Sequence, residues 1–258
     1  MRVIVAQILM SVAELAFAGA ALLAARASAG RAHRFAYAWA FTGWAFLVQG
    51  ANSLFHDAFS LVAFLQGAES ASWAAVLRWH PILSHSRTFL LTTYAVVLAV
   101  MLYRFRAGTG VPPLRRPLAV MVAGMVLGAV VGWQEPEFTR ATHYSAVAVF
   151  DVMELLAFMV LLIVGITSGR MDRSLWSALA LYGFTLALSV LLFAAIARFD
   201  VAGEWSPSPF AIQGVKTALR FVMVAIVIQH LRALRRGDPV RGLIDEPLGR
   251  VPMASLHG

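Results

Sequence analysis

Six ionisable side chains fall inside segments that are otherwise apolar: Glu14, Arg87, Asp151, Glu154, Lys216 and Arg220. At the centre of a membrane-length helix such a charge costs about 2.5–3.5 kcal/mol on insertion scales, so it normally faces a partner or a cavity. Three of the six are acidic and three basic, the balance that a self-neutralising network in a low-dielectric interior requires. Groups of this kind bind an ion or solute, couple to protons or gate a path. Their plainer role is to knit helices together through ion pairs and hydrogen bonds.

Spacing extends the set. Gln213, Lys216, Thr217 and Arg220 recur at i, i+3, i+4 and i+7, and Gln49, Asn52, Ser53 and His56 repeat that spacing. His85, Thr88 and Thr92 make a third stripe, and Asp151 shares a face with Glu154. Four helices are therefore expected to turn polar stripes toward one cavity that leans outward. The expected network comprises Glu14, Asn52, His85, Arg87, Asp151, Glu154, Gln213, Lys216 and Arg220.

Lys216 is the only lysine among 21 basic residues. An amine, unlike a guanidinium, loses its proton when buried and forms Schiff bases, so Lys216 is either a reactive group or the shorter cation that fits opposite a glutamate. A single lysine in the seventh span of such a chain resembles the retinal-binding lysine of the microbial rhodopsins. That resemblance implies a Schiff base at Lys216. It covers topology, length and one residue: the third span has no carboxylate counter-ion, Ile212 stands one turn before the lysine, and the sixth span has no proline.

Histidine offers a second chemistry. His56, His85 and His143 are the candidates for a metal or haem on the outer side, with Asp57 beside the first. No H-x-x-x-H or E-x-x-H pair joins them, and cysteine is absent, which excludes thiolate zinc and iron–sulfur sites. No G-x-S-x-G, P-loop, G-x-G-x-x-G or H-E-x-x-H occurs, so no catalytic residue and no enzyme frame is assigned.

The elements that must position these groups are membrane spans. With 258 residues, 60% hydrophobic and 13% charged, the chain has more apolar surface than one soluble core needs. Apolar runs predict seven spans, at Val3–Ala25, Phe35–His56, Leu83–Tyr103, Pro117–Trp133, Ala146–Gly169, Leu175–Ala197 and Phe210–Gln229. The first is about as long as the bilayer core, has only Arg2 before it and reads as a retained helix. The apolar run beyond His56 reads as an outer interfacial helix reaching Trp79.

Arg26, Arg31, Arg34, Arg104, Arg106, Arg115, Arg116, Arg170, Arg173, Arg232, Arg235 and Arg236 all fall on one side. The positive-inside rule makes that side cytoplasmic, N-out and C-in, and explains most of the net charge of +8 without nucleic acid as a partner. Glu69, Glu135, Glu137, Asp200 and Glu204 lie opposite, and Trp79, Trp133 and Trp205 fall where an outer aromatic belt belongs.

A parallel internal repeat is also legible. Val12, Glu14 and Leu15 match Val152, Glu154 and Leu155; Ser28–Arg34 resembles Ser168–Arg173; Gly43 matches Gly183; Arg87-Thr88 matches Lys216-Thr217. The expectation is an all-α, seven-helix membrane bundle over 1–237 with units 3–106 and 144–236, a linker helix 117–133, and a flexible cytoplasmic tail 238–258 without an output domain. Partners would be the lipid bilayer of a bacterial or archaeal cytoplasmic membrane, a small solute, ion or ligand, and a separate membrane or signalling protein. The functions compatible with this are solute or proton-coupled ion transport, membrane sensing, retinal binding, or a non-catalytic place in a membrane complex.

Overall fold

A computed structural model describes residues 2–30, 33–67, 70–108, 112–134, 140–202 and 208–242, and all of its elements are helical apart from one isolated bridge. Seven helices follow in order: α1 Arg2–Ser28, α2 His33–Gln66, α3 Ala71–Arg106, α4 Arg115–Trp133, α5 Arg140–Ser168, α6 Arg173–Ala202 and α7 Ser208–Arg235. Six contain stretches long and apolar enough to cross a membrane: Ile4–Ser28, Ala74–Arg106, Arg115–Trp133, Val149–Ser168, Arg173–Leu191 and Ile212–Arg235. The chain is a helical apolar bundle suited to a lipid bilayer.

The exception is α2, where a seventh span was expected. Its Gln49, Asn52, Ser53 and His56 stripe dilutes the hydropathy that the other helices carry. Length corrects a second expectation. α2 runs unbroken for 34 residues and α3 for 36, with Pro81 inside it. At 1.5 Å per residue each is about 50 Å long, against about 30 Å of bilayer hydrocarbon. The apolar residues after His56 therefore continue α2 as far as Gln66, and Ala71 to Trp79 begin α3 rather than forming an interfacial helix. Gly67, with φ of 96°, makes the reversal between them.

Neighbour relations close a ring. α1 packs on α2, α2 on α3, α3 on α5, α5 on α6, α6 on α7, and α7 back on α1. α4 stands outside, laid along α3. A glycine stripe brings it there: Gly124, Gly128 and Gly132 recur every four residues, and a Cβ on Gly132 would come within 2.6 Å of the Pro81 carbonyl oxygen. A Cβ on Gly128 would collide with the His85 carbonyl. Small residues at such spacing let backbones approach in a membrane, where apolar burial alone does not drive association. The opposite face of α4 exposes Val120, Val126, Leu127 and Val130.

The interior carries the polar groups, as intramembrane charges require, while Leu9, Leu23, Val96, Val100, Leu156 and Ile163 point outward. Phe17, Phe46, Tyr94, Phe158 and Tyr182 form a continuous aromatic core; Phe46 meets Tyr182 edge-on at 5.0 Å, and Phe158 lies 4.7 Å from Tyr182.

At the arginine-rich end the α5–α6 turn ends α5 at Gly169 and caps α6 with Asp172, whose Oδ1 accepts from the N–H groups of Ser174 (2.9 Å) and Leu175 (3.1 Å). The segment expected to be a free tail is held here over its first five residues. The Asp238 N–H returns to the Ala233 carbonyl, Arg173 donates from its backbone to Arg241 and from its side chain to Gly242, and Asp172 forms an antiparallel bridge with Gly242. Residues 243–258 lie outside the described residues.

Candidate functional site

Glu14, Glu154 and Arg220 lie at one depth. Glu14 is 14 residues before the end of α1 at Ser28, Glu154 is 14 before Ser168, and Arg220 is 15 before Arg235. At 1.5 Å per residue all three stand about 21 Å from the arginine-rich ends. Their faces turn inward because each helix's opposite face is apolar and meets the surround; Glu14, Glu154 and Arg220 are each only 1% exposed.

Arg220 is the hub. Its Nε lies 3.3 Å from Oε1 of Glu14, in ion-pair contact but without the N–H aimed at that oxygen. Gln49 donates to the other Glu14 oxygen at 3.5 Å and to Ser53 at 3.1 Å. The guanidinium carbon of Arg220 lies 3.8 Å from the ring centre of Tyr182, a cation–π contact. The Tyr182 hydroxyl in turn donates to Oε1 of Glu154 at 2.9 Å. The two buried glutamates are thus joined through one arginine and one tyrosine. Phe17 and Phe158, one turn beyond the glutamates, belong to the aromatic core on the arginine-rich side of this layer.

Arg87 stands in the electrostatic field of Glu14, Glu154 and Asp151, and Lys216 in that of Arg87, Arg220, Asp151 and Glu14. All six intramembrane charges therefore gather in one region. Of these, Glu14 and Arg220 are in direct contact.

The remaining candidates are bonded elsewhere. Asn52 donates to the Leu83 carbonyl of α3 (3.2 Å), and Gln213 to the Met10 sulfur of α1 (3.8 Å), so both fasten ring seams. His85 is buried with its ring 4.6 Å from Phe150. His56 is bonded to His80, Nε2 to Nδ1, at 2.8 Å. The side chain of His143 lies outside the described residues. Among those described, no three His, Asp or Glu side chains are arranged to hold a metal ion.

Tyr182 is central here and was not among the expected residues, while Gln49 was expected only as part of the α2 stripe. A lone tyrosine in an apolar helix carries no signal by type. Tyr182 did, however, stand beside Gly183, whose match to Gly43 was legible. The Asp172–His230 corner was also missed. His230 Nδ1 lies 3.3 Å from Ser174 Oγ and 3.9 Å from Asp172, and its ring stacks on Trp39 at 5.3 Å. A cavity of about 550 Å³ lies beside it, lined by Asp172, Ser174, Gln229, Asp238 and Arg241. This space is at the arginine-rich end of the bundle, away from the charged layer.

Set against known protein families, curated proteins and solved structures, the chain matches none of them. The functional reading therefore rests on the site.

Proposed function

We propose that the chain is a polytopic membrane protein, N-terminus outside and C-terminus in the cytoplasm, that moves a small solute or ion in exchange with protons at Glu14 and Glu154. The observation that carries this reading is the position of Arg220, paired with Glu14 on one side and lying against the Tyr182 that holds Glu154 on the other. A proton on Glu14 cancels its attraction for the guanidinium and leaves the second carboxylate as the competing partner. The charge network then has two arrangements, which is what coupling requires.

An internal two-fold relation supports the same reading. Shifted by 140 residues, some buried positions of α1 fall on buried positions of α5, Glu14 on Glu154, Phe17 on Ala157, Ala21 on Leu161 and Ser28 on Ser168, while Ala20 falls on the exposed Val160. The same shift carries Thr42, Phe46 and Gln49 of α2 onto Tyr182, Leu186 and Ser189 of α6, all buried. A shift of 129 carries Leu91, Tyr94, Leu98 and Phe105 of α3 onto Arg220, Met223, Val227 and Leu234 of α7. The neighbour relations agree, since α1·α2, α2·α3 and α3·α5 become α5·α6, α6·α7 and α7·α1, with α4 left outside. Two similar three-helix units around a central site are a common transporter plan.

The test is flux. Purified protein in liposomes containing a pH-sensitive dye is challenged with a panel of small solutes and ions; a solute-dependent pH change, lost in Glu14→Gln, is expected. No response across the panel, with the protein folded and inserted, overturns the proposal. A visible absorption band of bound retinal or haem in the same preparation would overturn it in favour of a chromoprotein, and Lys216→Arg would then abolish a retinal band.

A further inference from the structure

A second set of polar groups runs from the end opposite the arginines toward Glu14. His80 on α3 shares a 2.8 Å hydrogen bond with His56 on α2, and His56 Nδ1 stands 3.5 Å from Oδ1 of Asp57. Ser11 on α1 donates to Oδ2 of Asp57 at 2.7 Å. Ser11 and Glu14 are three residues apart on the buried face of α1, with Cβ atoms about 5–6 Å apart in such a pair. Exposure falls along the series: His80 and His56 are half-buried, Asp57 is 6% exposed and Ser11 fully buried. These four groups from three helices make a contact series from the bundle's end to Ser11, which stands one helical turn before the central carboxylate Glu14.

We infer that His80, His56, Asp57 and Ser11 form a proton-conducting relay that loads Glu14 from the side opposite the arginines. The chemistry balances. A proton taken up at His80 crosses the shared bond to His56 Nε2, and His56 releases one from Nδ1 to the Asp57 carboxylate. Rotation of the protonated Asp57 carboxyl turns its proton from Oδ1 toward Ser11, and Ser11, its hydroxyl swung from Asp57 toward Glu14 one helical turn away, passes its own proton on. One proton and one positive charge move inward. His80 and His56 are each left in the other tautomer, and rotation of the two rings resets them.

The remaining charged neighbours do not interrupt the series. On α1 the neighbour is Glu14, the acceptor. On α3, Arg78 stands over the Trp133 ring of α4 at 5.5 Å, and His85 lies against Phe150 of α5. A purely structural polar seam would need no imidazole pair at its outer end. An imidazole that accepts at one nitrogen and donates from the other is what a relay uses.

The inference rests on the reading that Glu14 exchanges protons, and the test separates the two. The full chain in lipid nanodiscs is given a rapid pH jump, and the infrared carboxyl stretch of its buried acids is followed in time. In the wild-type protein that band is expected to respond, and the part missing in Glu14→Gln is the Glu14 signal. His80→Gln and Asp57→Asn are expected to keep the final amplitude of that signal but slow its approach by about a hundredfold, the lower end of what a positioned proton donor contributes. Imidazole added to a His80→Ala variant is expected to restore the rate. Unchanged rates in His80→Gln and Asp57→Asn overturn the relay and leave proton exchange standing. Loss of amplitude together with rate in both variants also overturns it, because it marks these residues as structural. A wild-type band that does not respond at all removes proton exchange at Glu14, and the relay with it.

Discussion

Glu14 and Glu154 are buried at the same depth on α1 and α5, yet their partners differ. Glu14 meets a full positive charge, Arg220 at 3.3 Å, with an amide on its other oxygen. Glu154 receives a neutral phenol, Tyr182 at 2.9 Å, and only the distributed fields of Arg87 and Arg220. Removing the carboxylate that is paired with a buried cation strands that cation, whereas replacing one held by a phenol can leave the phenol an acceptor. Two glutamates at one depth thus have unlike chemistry, and the difference comes from the residues they meet, Arg220 on α7 and Tyr182 on α6.

The sharpest way to break this contrast is Glu14→Gln. It leaves Arg220 buried without its anion, and a loss of about 3–5 kcal/mol in unfolding free energy is expected in a detergent-denaturation titration. A loss no greater than that of Glu154→Gln would show that Arg220 is not committed to Glu14. Glu154→Gln retains an acceptor for Tyr182 and should cost less, about 1–3 kcal/mol by the same titration. The double variant should depart from additivity by about 0.5–3 kcal/mol if Arg220 serves both sites, and by nothing if each glutamate is independent. Tyr182→Phe removes one hydrogen bond and keeps the ring under Arg220, so a cost of about 0.5–1.5 kcal/mol is expected, together with a Glu154 carboxyl stretch shifted in the infrared spectrum.

The smallest effect belongs to the far corner, at Asp172. Burial raises its carboxyl above the ordinary value, against the opposing pull of His230 and of the capping N–H groups. The folded state therefore holds this proton more tightly than the unfolded chain does. Its stabilisation is complete below the unfolded value near about 4 and is lost as pH rises through the higher folded value. Asp172→Asn should flatten that slope in a stability-versus-pH series; an unaltered slope would assign it to other groups.

Much of this was legible in advance for a local reason. A run of about 20 apolar residues needs no tertiary partner to become a membrane helix, so hydropathy located six helices that are long and apolar enough to span. The charges inside those runs stood out by type alone. Where the signal was weaker the expectation slipped: α2 carries enough polar residues to hold no stretch as apolar as those of the other helices, and α2 and α3 extend well beyond a bilayer's thickness. The glycines of α4 fasten it to α3 by a shape that only the facing backbone reveals. The network residues were named without their pairings, and Asn52 and Gln213 turned out to fasten helix seams.

By itself the sequence determined an all-helical apolar chain, the segments that form its helices, and the presence of three acids and three bases within them, because hydropathy and charge are properties of the residues themselves. Only the tertiary structure decided that Arg220 meets Glu14, that Tyr182 stands between that arginine and Glu154, and that Ser11, Asp57, His56 and His80 align. Those relations depend on how helices distant in sequence are rotated and stacked, and a hydrogen bond or ion pair is lost when its atoms move by an ångström or two.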